Sequence, residues 1–307
     1  MEWWVSFLAA SIRLGTPILI AALGGVYMAR SGVVNIGIEG TMLFGALAGM
    51  MGSFFLGSPV AGSLVAMLVG ALIGLLFAYL VVTIGADQIV MGMAINLLAL
   101  GMTTFLFRAI FVSGIPSQAA SYTAVQIPFL STIPLVGSLL FSHPPLVYLA
   151  YVLVPLAGWV LYKTPYGLRV RAVGEFPKAV DTLGISVFKL RYSTLIVGGM
   201  LSGLAGSYLS ISELNMFTEN MTAGKGFVAL AAVIFGRWTP VGAMLAALLF
   251  GGMQAFQMRM QIMGTDIPFQ FFLMLPYVVT VVVLTGFVGK ATPPAASTKP
   301  YKREKII

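Results

Sequence analysis

The chain has 307 residues, of which 59% are hydrophobic and only 8% are charged, whereas soluble domains carry roughly 25% charged residues. No water-soluble fold could bury so much apolar surface, so the composition indicates an integral membrane protein. The chain has no cysteine and a single histidine, His143, which excludes disulfides and a cysteine nucleophile and argues against a zinc site. The net charge of +8 comes from cations beside apolar runs, which indicates a membrane surface and argues against nucleic acid as a partner.

Long apolar runs follow one another along the chain, separated by short polar stretches. A helical span needs about 20 mostly apolar residues, and the alternation expected of membrane strands is absent, so we predict an all-α bundle of about nine spans. The predicted spans are 4–28, 36–57, 60–83, 89–112, 144–163, 193–211, 226–236, 239–258 and 268–289. The run 226–236 is short for a full crossing and predicts a broken or re-entrant helix. We expect one transmembrane domain, 1–290, followed by a polar cytoplasmic tail, 291–307.

The distribution of Lys and Arg predicts the orientation of the bundle, because loops rich in these residues stay in the cytoplasm. They concentrate in the loop 164–192 and in the tail, and both are therefore expected to be cytoplasmic. The residues concerned are Lys163, Arg169, Arg171, Lys178, Lys189, Arg191, Lys290, Lys299, Lys302, Arg303 and Lys305. With about five spans before this loop, the N-terminus and the segment 113–143 fall outside.

Two features of the spans concern how the helices pack. Small residues four apart on one face allow close approach of helix backbones, and this spacing occurs at Gly45 and Gly49, Gly70 and Gly74, and Gly199 and Gly203. In addition, 26–30 and 233–237 each end an apolar run with a small residue and arginine. This match predicts a possible internal repeat, although short matches in apolar sequence also arise by chance.

The loop 164–192 is longer than a turn requires and contains signals for a helix of its own. Pro177 suits a first helical turn, Glu175 complements the positive end of a helix, and Gly184 is a natural stop. The apolar residues of this short helix are Ala179, Val180 and Leu183, and its charged residues are Lys178 and Asp181. Such a helix either offers an apolar face to a protein partner or rests on lipid headgroups.

Two motifs carry a resemblance to a known family. Gly167-Leu-Arg-Val-Arg-Ala-Val-Gly-Glu175, with Pro177-Lys-Ala and Gly184-Ile after it, resembles the coupling-helix segment of ABC-importer permeases of the ribose, nucleoside and branched-chain amino acid type. Gly32-Val-Val-Asn-Ile-Gly-Ile-Glu-Gly40 is similar to the nucleoside branch of that group. The resemblance runs from about residue 10 to about residue 290. The chain departs from the family pattern at Phe176, often Asn, and at Val180, often Ala; we expect Phe176 to pack against a partner, because it cannot cap a helix.

The resemblance implies a bacterial inner-membrane subunit that forms half of a path for a nucleoside or simple sugar. A separate ATPase would bind ATP and magnesium, and this chain would bind no cofactor and catalyse no reaction; consistently, the sequence has no phosphate-binding loop. The other implied partners are a second, related permease and a substrate-binding lipoprotein or periplasmic protein. The resemblance assigns coupling to the ATPase to Arg169, Arg171, Glu175, Pro177, Lys178, Ala179, Val180, Asp181, Leu183 and Gly184.

Polar residues inside spans are costly and tend to face the interior of a bundle. On this basis the candidates for contact with the substrate are Asn35, Glu39, Asn96, Arg108 and Gln254. Some have simpler interpretations: Asn35 and Glu39 could order a turn, Asn96 could bridge two helices, and Arg108 could extend toward the membrane surface. A self-sufficient transporter or channel is the alternative function, but it would need clearer carboxylates for ion coupling. A membrane-embedded enzyme would need an acid and base pair or a metal set, which the sequence lacks.

Overall fold

The computed structural model describes residues 2–111, 120–126, 136–262 and 292–301, together with four isolated helical positions, Phe271, Met274, Val278 and Val282. Within these residues, seven helices are long and apolar enough to cross a membrane: Trp3–Arg30, Ile38–Leu56, Pro59–Ile84, Gln88–Ile110, Pro145–Lys163, Val187–Glu213 and Pro240–Gln261. They confirm seven of the predicted spans and the all-α membrane fold. The predicted short helix is also present, as Lys225–Phe235. The last predicted span, 268–289, lies outside the described residues apart from the four isolated positions.

The helices and strands follow one another in a simple order. They are α1 (Glu2–Arg30), α2 (Ile38–Leu56), α3 (Pro59–Ala78), α4 (Gln88–Ile110), β1 (Val125–Gln126), α5 (Val136–Leu140), β2 (Ser142–His143), α6 (Pro145–Lys163), α7 (Pro165–Glu175), α8 (Pro177–Thr182), α9 (Val187–Ser207), α10 (Lys225–Phe235) and α11 (Pro240–Ile262). Helices α3 and α9 continue as π-helical turns, Tyr79–Ile84 and Tyr208–Glu213. The two strands pair antiparallel, with Val125 opposite His143.

The loop 164–192 contains more helix than the sequence analysis predicted. Helix α7 was not predicted; the Thr164 side chain accepts a hydrogen bond from the backbone N–H of Gly167 (3.2 Å), and a proline follows at the first helical position. Helix α9 starts at Val187, before the predicted 193, and Ser186 accepts a hydrogen bond from the Lys189 N–H (3.3 Å). The charged residues near the start of α9 are typical of a loop, but one of them, Arg191, is buried in the structure and only 1% exposed. We call the end of the bundle that carries α7 and α8 the basic end.

Glycines bring α2, α3 and α9 together at the centre of the bundle. A side chain at Gly203 would collide with the carbonyl oxygen of Ala66, and one at Gly199 would collide with that of Gly70. Gly45 lies in equally close contact with Gly203. The predicted role of these small residues in helix packing is therefore confirmed, because each allows a backbone approach that a larger residue would block.

The two segments of the possible repeat meet at the basic end. Arg30, the last residue of α1, donates a hydrogen bond from Nε to the carbonyl oxygen of Trp238 (2.8 Å), just beyond the end of α10. This contact fixes the C-terminal end of α10 beside the C-terminal end of α1. A common origin of the two segments stays a prediction.

Candidate functional site

Helix α10 begins inside the bundle. Its 11 residues span roughly 16 Å, about half of the hydrocarbon core of a bilayer. Its C-terminal end is held at the basic end by Arg30, and the helix packs along α1, so its N-terminal end lies partway through the bundle. The short helix predicted to be broken or re-entrant is therefore present, and the first N–H groups of α10 need partners where lipid could supply none.

Glu39 supplies those partners. Its Oε1 accepts a hydrogen bond from the N–H of Gly224 (2.8 Å), and its Oε2 accepts one from the N–H of Gly226 (2.6 Å). The Glu39 residue is 8% exposed, and a side chain at Gly226 would lie 2.6 Å from the Glu39 backbone nitrogen. An anion at a helix N-terminus is stabilised by the unpaired N–H groups and the helix dipole. Glu39 of α2 thus acts as the N-terminal cap of α10.

Two predicted amides position Glu39. Asn35 accepts a hydrogen bond from the Gly37 N–H at 2.8 Å through Oδ1, which shapes the turn before α2. Asn96 of α4 accepts one from the Gly40 N–H (2.8 Å) and donates one to the Ile36 carbonyl (3.1 Å). The motif 32–40 is therefore a tightly held segment that carries Glu39 to the start of α10.

Three further charged residues lie beyond Glu39 and extend the polar interior. Lys225 stands between the two glycines that bind Glu39, and both Lys225 and Arg13 interact electrostatically with the Glu213 carboxylate. Arg13 is exposed although its α1 neighbours Ile12 and Leu14 are buried, so its side chain points into space that the described chain does not fill. Glu39, Lys225, Glu213 and Arg13 are two acids and two bases, and we call this set the charge series.

Hydroxyl groups adjoin the charge series. Tyr208 is 2% exposed and interacts electrostatically with Glu213, Arg13 and Tyr151. Two buried atoms in this region, Oε2 of Glu213 and Oη of Tyr151, have no hydrogen-bond partner among the described residues. Buried polar atoms of this kind mark places where water or a ligand is bound.

The sequence analysis did not find most of this region. Arg13 carried a signal, because it is a charge within an apolar span. Glu213 and Lys225 lie at helix ends, where charges are ordinary, and only the fold brings them together.

The other two predicted path residues, Arg108 and Gln254, have different surroundings. Arg108 donates from Nε to Oε1 of Glu219 (2.7 Å) and from an NH2 nitrogen to Oε2 (2.9 Å), at an exposed position near the end of α4. The hydrogen bond from Arg108 holds the pKa of Glu219 below its usual value. Gln254 of α11 has a buried Oε1 without a partner among the described residues. The structure thus brings together Asn35, Glu39 and Asn96, whereas Arg108 pairs with Glu219.

The segment predicted to couple to an ATPase lies on the surface at the basic end. Helix α8 begins at Pro177 as predicted, and Gly184 adopts the left-handed conformation (φ 76°) after the helix ends. Ala179 and Leu183 are exposed, but Val180 is only 4% exposed and packs into the chain. The predicted apolar face of Ala179, Val180 and Leu183 is therefore corrected: residues 179 and 183 share a face, whereas 180 lies about 100° around the helix.

The remaining residues of this segment differ in their surroundings. Phe176 is 70% exposed and joins Ala179 and Leu183 as an exposed apolar residue. Arg171 lies over the Tyr162 ring at 5.1 Å, and Glu175 accepts a hydrogen bond from the Ala295 N–H at 3.2 Å. Arg169 and Lys178 are exposed, and Asp181 is half-buried.

Comparison with known proteins gives the family. The model of the family described as "Branched-chain amino acid transport system / permease component" matches residues 7–284. The chain belongs to this family. It is a transport subunit. This confirms the expected function, the permease subunit of an ABC importer, rather than a self-sufficient transporter or an enzyme. No solved structure shows a significant match to the permease.

Three relatives match over most of their length. The permease is 40% identical over 313 residues to the guanosine ABC transporter permease protein NupQ of Bacillus subtilis, covering 96% of each chain. It is 39% identical to the nucleoside ABC transporter permease protein NupC of Lactococcus lactis, covering 94% of each. It is 35% identical to the putative glucose ABC transporter permease protein TsgC13 of Haloferax volcanii, covering 85% of this chain and 79% of that one. The two bacteria each contain a second, more distant permease that also matches.

Proposed function

We propose that this permease imports a neutral, hydroxyl-rich solute, a nucleoside in the first place and a simple sugar as the second candidate. Two relatives named for guanosine or nucleoside transport support the first candidate, and one named for glucose supports the second. The solute passes through the interior of the bundle beside the N-terminal end of α10. Transport is driven by a separate ATPase that binds ATP and magnesium.

The observation that carries the choice of substrate is the balance of the charge series. A half-helix N-terminus inside a transporter commonly holds an anionic group of the substrate, but here the carboxylate of Glu39 already occupies that place. The charge series has as many acids as bases, and among the described residues around it no cluster of cations is left to hold a phosphate. Hydroxyl groups of Tyr208 and Tyr151 beside these charges suit hydrogen bonding to a neutral solute that carries hydroxyls.

The proposed site of coupling is the surface formed by α7 and α8. Exposed apolar residues lie on α8 and at its two ends. Along the chain, α7 and α8 connect the membrane-spanning helices α6 and α9, so a partner that moves α8 would pull on both. The ATPase therefore docks here and transmits its closure to the bundle. The coupling residues are those assigned from the resemblance, with Phe176 added and Val180 assigned to internal packing.

Orientation and the remaining partners complete the proposal. The basic end faces the cytoplasm of the bacterial inner membrane, since Lys and Arg concentrate there. A second, related permease completes the path, in line with the second permease found in each of the two bacteria. A substrate-binding lipoprotein or periplasmic protein delivers the solute at the opposite end.

Competition for uptake tests the proposed substrate. Cells or membrane vesicles that contain the intact transporter take up radiolabelled guanosine, and unlabelled purine nucleosides, pyrimidine nucleosides, ribose, glucose, amino acids and nucleotides are added in excess. Nucleosides should compete most strongly, and nucleotides and amino acids should not compete. Preferential competition by a nucleotide over its nucleoside, or indifference to all of these compounds, would overturn the assignment.

A further inference from the structure

The residues 292–301 return to the basic end and lie against the coupling segment; we call them the C-terminal strap. The Ala296 N–H donates a hydrogen bond to the Gly174 carbonyl (2.9 Å), and the Ala295 N–H donates one to Oε2 of Glu175 (3.2 Å). Farther along, the Lys299 carbonyl accepts a hydrogen bond from Arg191 (3.4 Å). The strap therefore contacts the end of α7 and the first turns of α9, and it is more than the polar tail that the sequence predicts.

A groove of about 520 Å³ separates the strap from α8. It is lined by Glu175, Phe176, Pro177, Lys178, Ala179, Ala295, Ala296, Lys299, Pro300 and Tyr301. One wall comes from the start of α8 and the other from the strap, and mostly apolar side chains face the space between them. Phe176 and Ala179, both exposed apolar residues, lie on the first wall, so the groove is continuous with the proposed docking surface.

The charges around the groove indicate what kind of surface covers it. Lys178 and Lys299 are exposed at its rim, but so is the Glu175 carboxylate, and Asp181 follows on α8. An anionic lipid surface would attract the lysines and repel the two carboxylates. A protein surface can match charges of both signs around an apolar centre, which is the usual anatomy of a protein interface.

We propose that the C-terminal strap is the second wall of the ATPase docking site, so that the ATPase inserts apolar side chains between α8 and the strap. This inference rests on the proposed coupling function of α8. Residues 292–301 thereby take part in docking together with α8.

The strap also connects the docking site to the interior of the bundle. Gly32, in the turn after α1, is packed so closely that a side chain there would lie 3.2 Å from the Ala296 carbonyl oxygen. The same turn leads to the segment that carries Glu39. A partner held between α8 and the strap therefore presses on the turn that positions the cap of α10.

Protection of single cysteines tests the proposal, and the native chain contains no cysteine to compete. Lys299→Cys, Ala179→Cys and Thr298→Cys are labelled with a small maleimide in the purified permease, with and without its ATPase subunit. All three positions are exposed, but Thr298 lines a separate cavity on the α10 side of the strap and serves as the matched control. The ATPase should slow labelling at positions 299 and 179 by at least about tenfold, as expected in the centre of an interface, and should leave position 298 reactive.

The other outcomes separate this inference from the function on which it rests. Protection at 179 but not at 299 would overturn the role of the strap and leave docking on α8 intact. Equal protection at 298 and 299 would show general shielding of the basic end and would also overturn the groove. In a third sample, vesicles of anionic phospholipid replace the ATPase, and protection at 299 there would overturn the role of the strap and assign it to the membrane surface. Labelling of both 179 and 299 at full rate with the ATPase bound would contradict the docking proposal itself.

Discussion

At Glu39 a single carboxylate provides both acceptors for the first turn of a helix that starts inside the bundle. Replacement by glutamine keeps the shape of the side chain but turns an NH2 group toward a backbone N–H. Glu39→Gln should therefore lose one hydrogen bond and leave a buried donor unpaired, at a cost of about 1–3 kcal/mol.

The matched comparison for this substitution is Asp87→Asn. Asp87 caps α4 through Oδ1, which accepts hydrogen bonds from the N–H groups of Ile89 and Val90 (2.9 Å each), at an exposed position. Asn and Asp are equally good at such caps, so the change should cost little. Thermal unfolding of the purified permease should show a clearly lower Tm for Glu39→Gln than for Asp87→Asn. Equal Tm values would mean that α10 does not depend on its cap.

Among the elements, α9 packs against α3 at backbone distance. A side chain at Gly203 would meet the carbonyl oxygen of Ala66 and lie 3.1 Å from the Cα of Gly70, both on α3. Gly203→Ala should force α3 and α9 apart and destabilise the permease by about 1–3 kcal/mol. Gly158→Ala on α6 meets nothing within 4 Å and should be neutral or slightly stabilising.

The stability of both glycine variants is measured as the yield of folded protein and its Tm in detergent. A Gly203→Ala variant as stable as the Gly158→Ala control would show that the helices can separate at no cost. The close packing of α2, α3 and α9 would then be unnecessary for stability.

The elements also show how far the sequence predicts this structure. Seven spans and the short α10 follow from apolar run length, because lipid requires continuous helices. Helix α7 and the early start of α9 were missed, since their charged residues resemble a loop until tertiary contacts bury some of them, as they bury Arg191. Val180 was placed on the wrong face because a helix of six residues shows too little periodicity to define one.

The candidate site was less predictable than the fold. Asn35, Glu39 and Asn96 were found because polar groups in spans stand out against apolar neighbours. Glu213, Lys225 and the C-terminal strap have no local signal, since charges at helix ends and in tails are ordinary. Their roles depend on which segments the fold places side by side.

At the scale of the whole molecule, a continuous set of contacts joins the coupling segment to the charge series. Gly174 at the end of α7 packs directly on the Arg30 carbonyl, and Arg30 binds the Trp238 carbonyl beyond the end of α10. The other end of α10 is capped by Glu39. Movement of α7 and α8 by the ATPase should therefore shift α10 along the proposed path.

The most direct test of this account is Ala179→Asp, measured by recovery of the ATPase with the tagged permease and by uptake of radiolabelled nucleoside at matched permease levels. Ala179 is exposed, so the variant should fold and reach the membrane normally. The control is Gln261→Asp, at an exposed position near the C-terminal end of α11. A charge in an interface centre costs on the order of 2 kcal/mol or more, so ATPase recovery and uptake should both fall by more than tenfold. Normal recovery and uptake in Ala179→Asp, matching Gln261→Asp, would contradict coupling through α8.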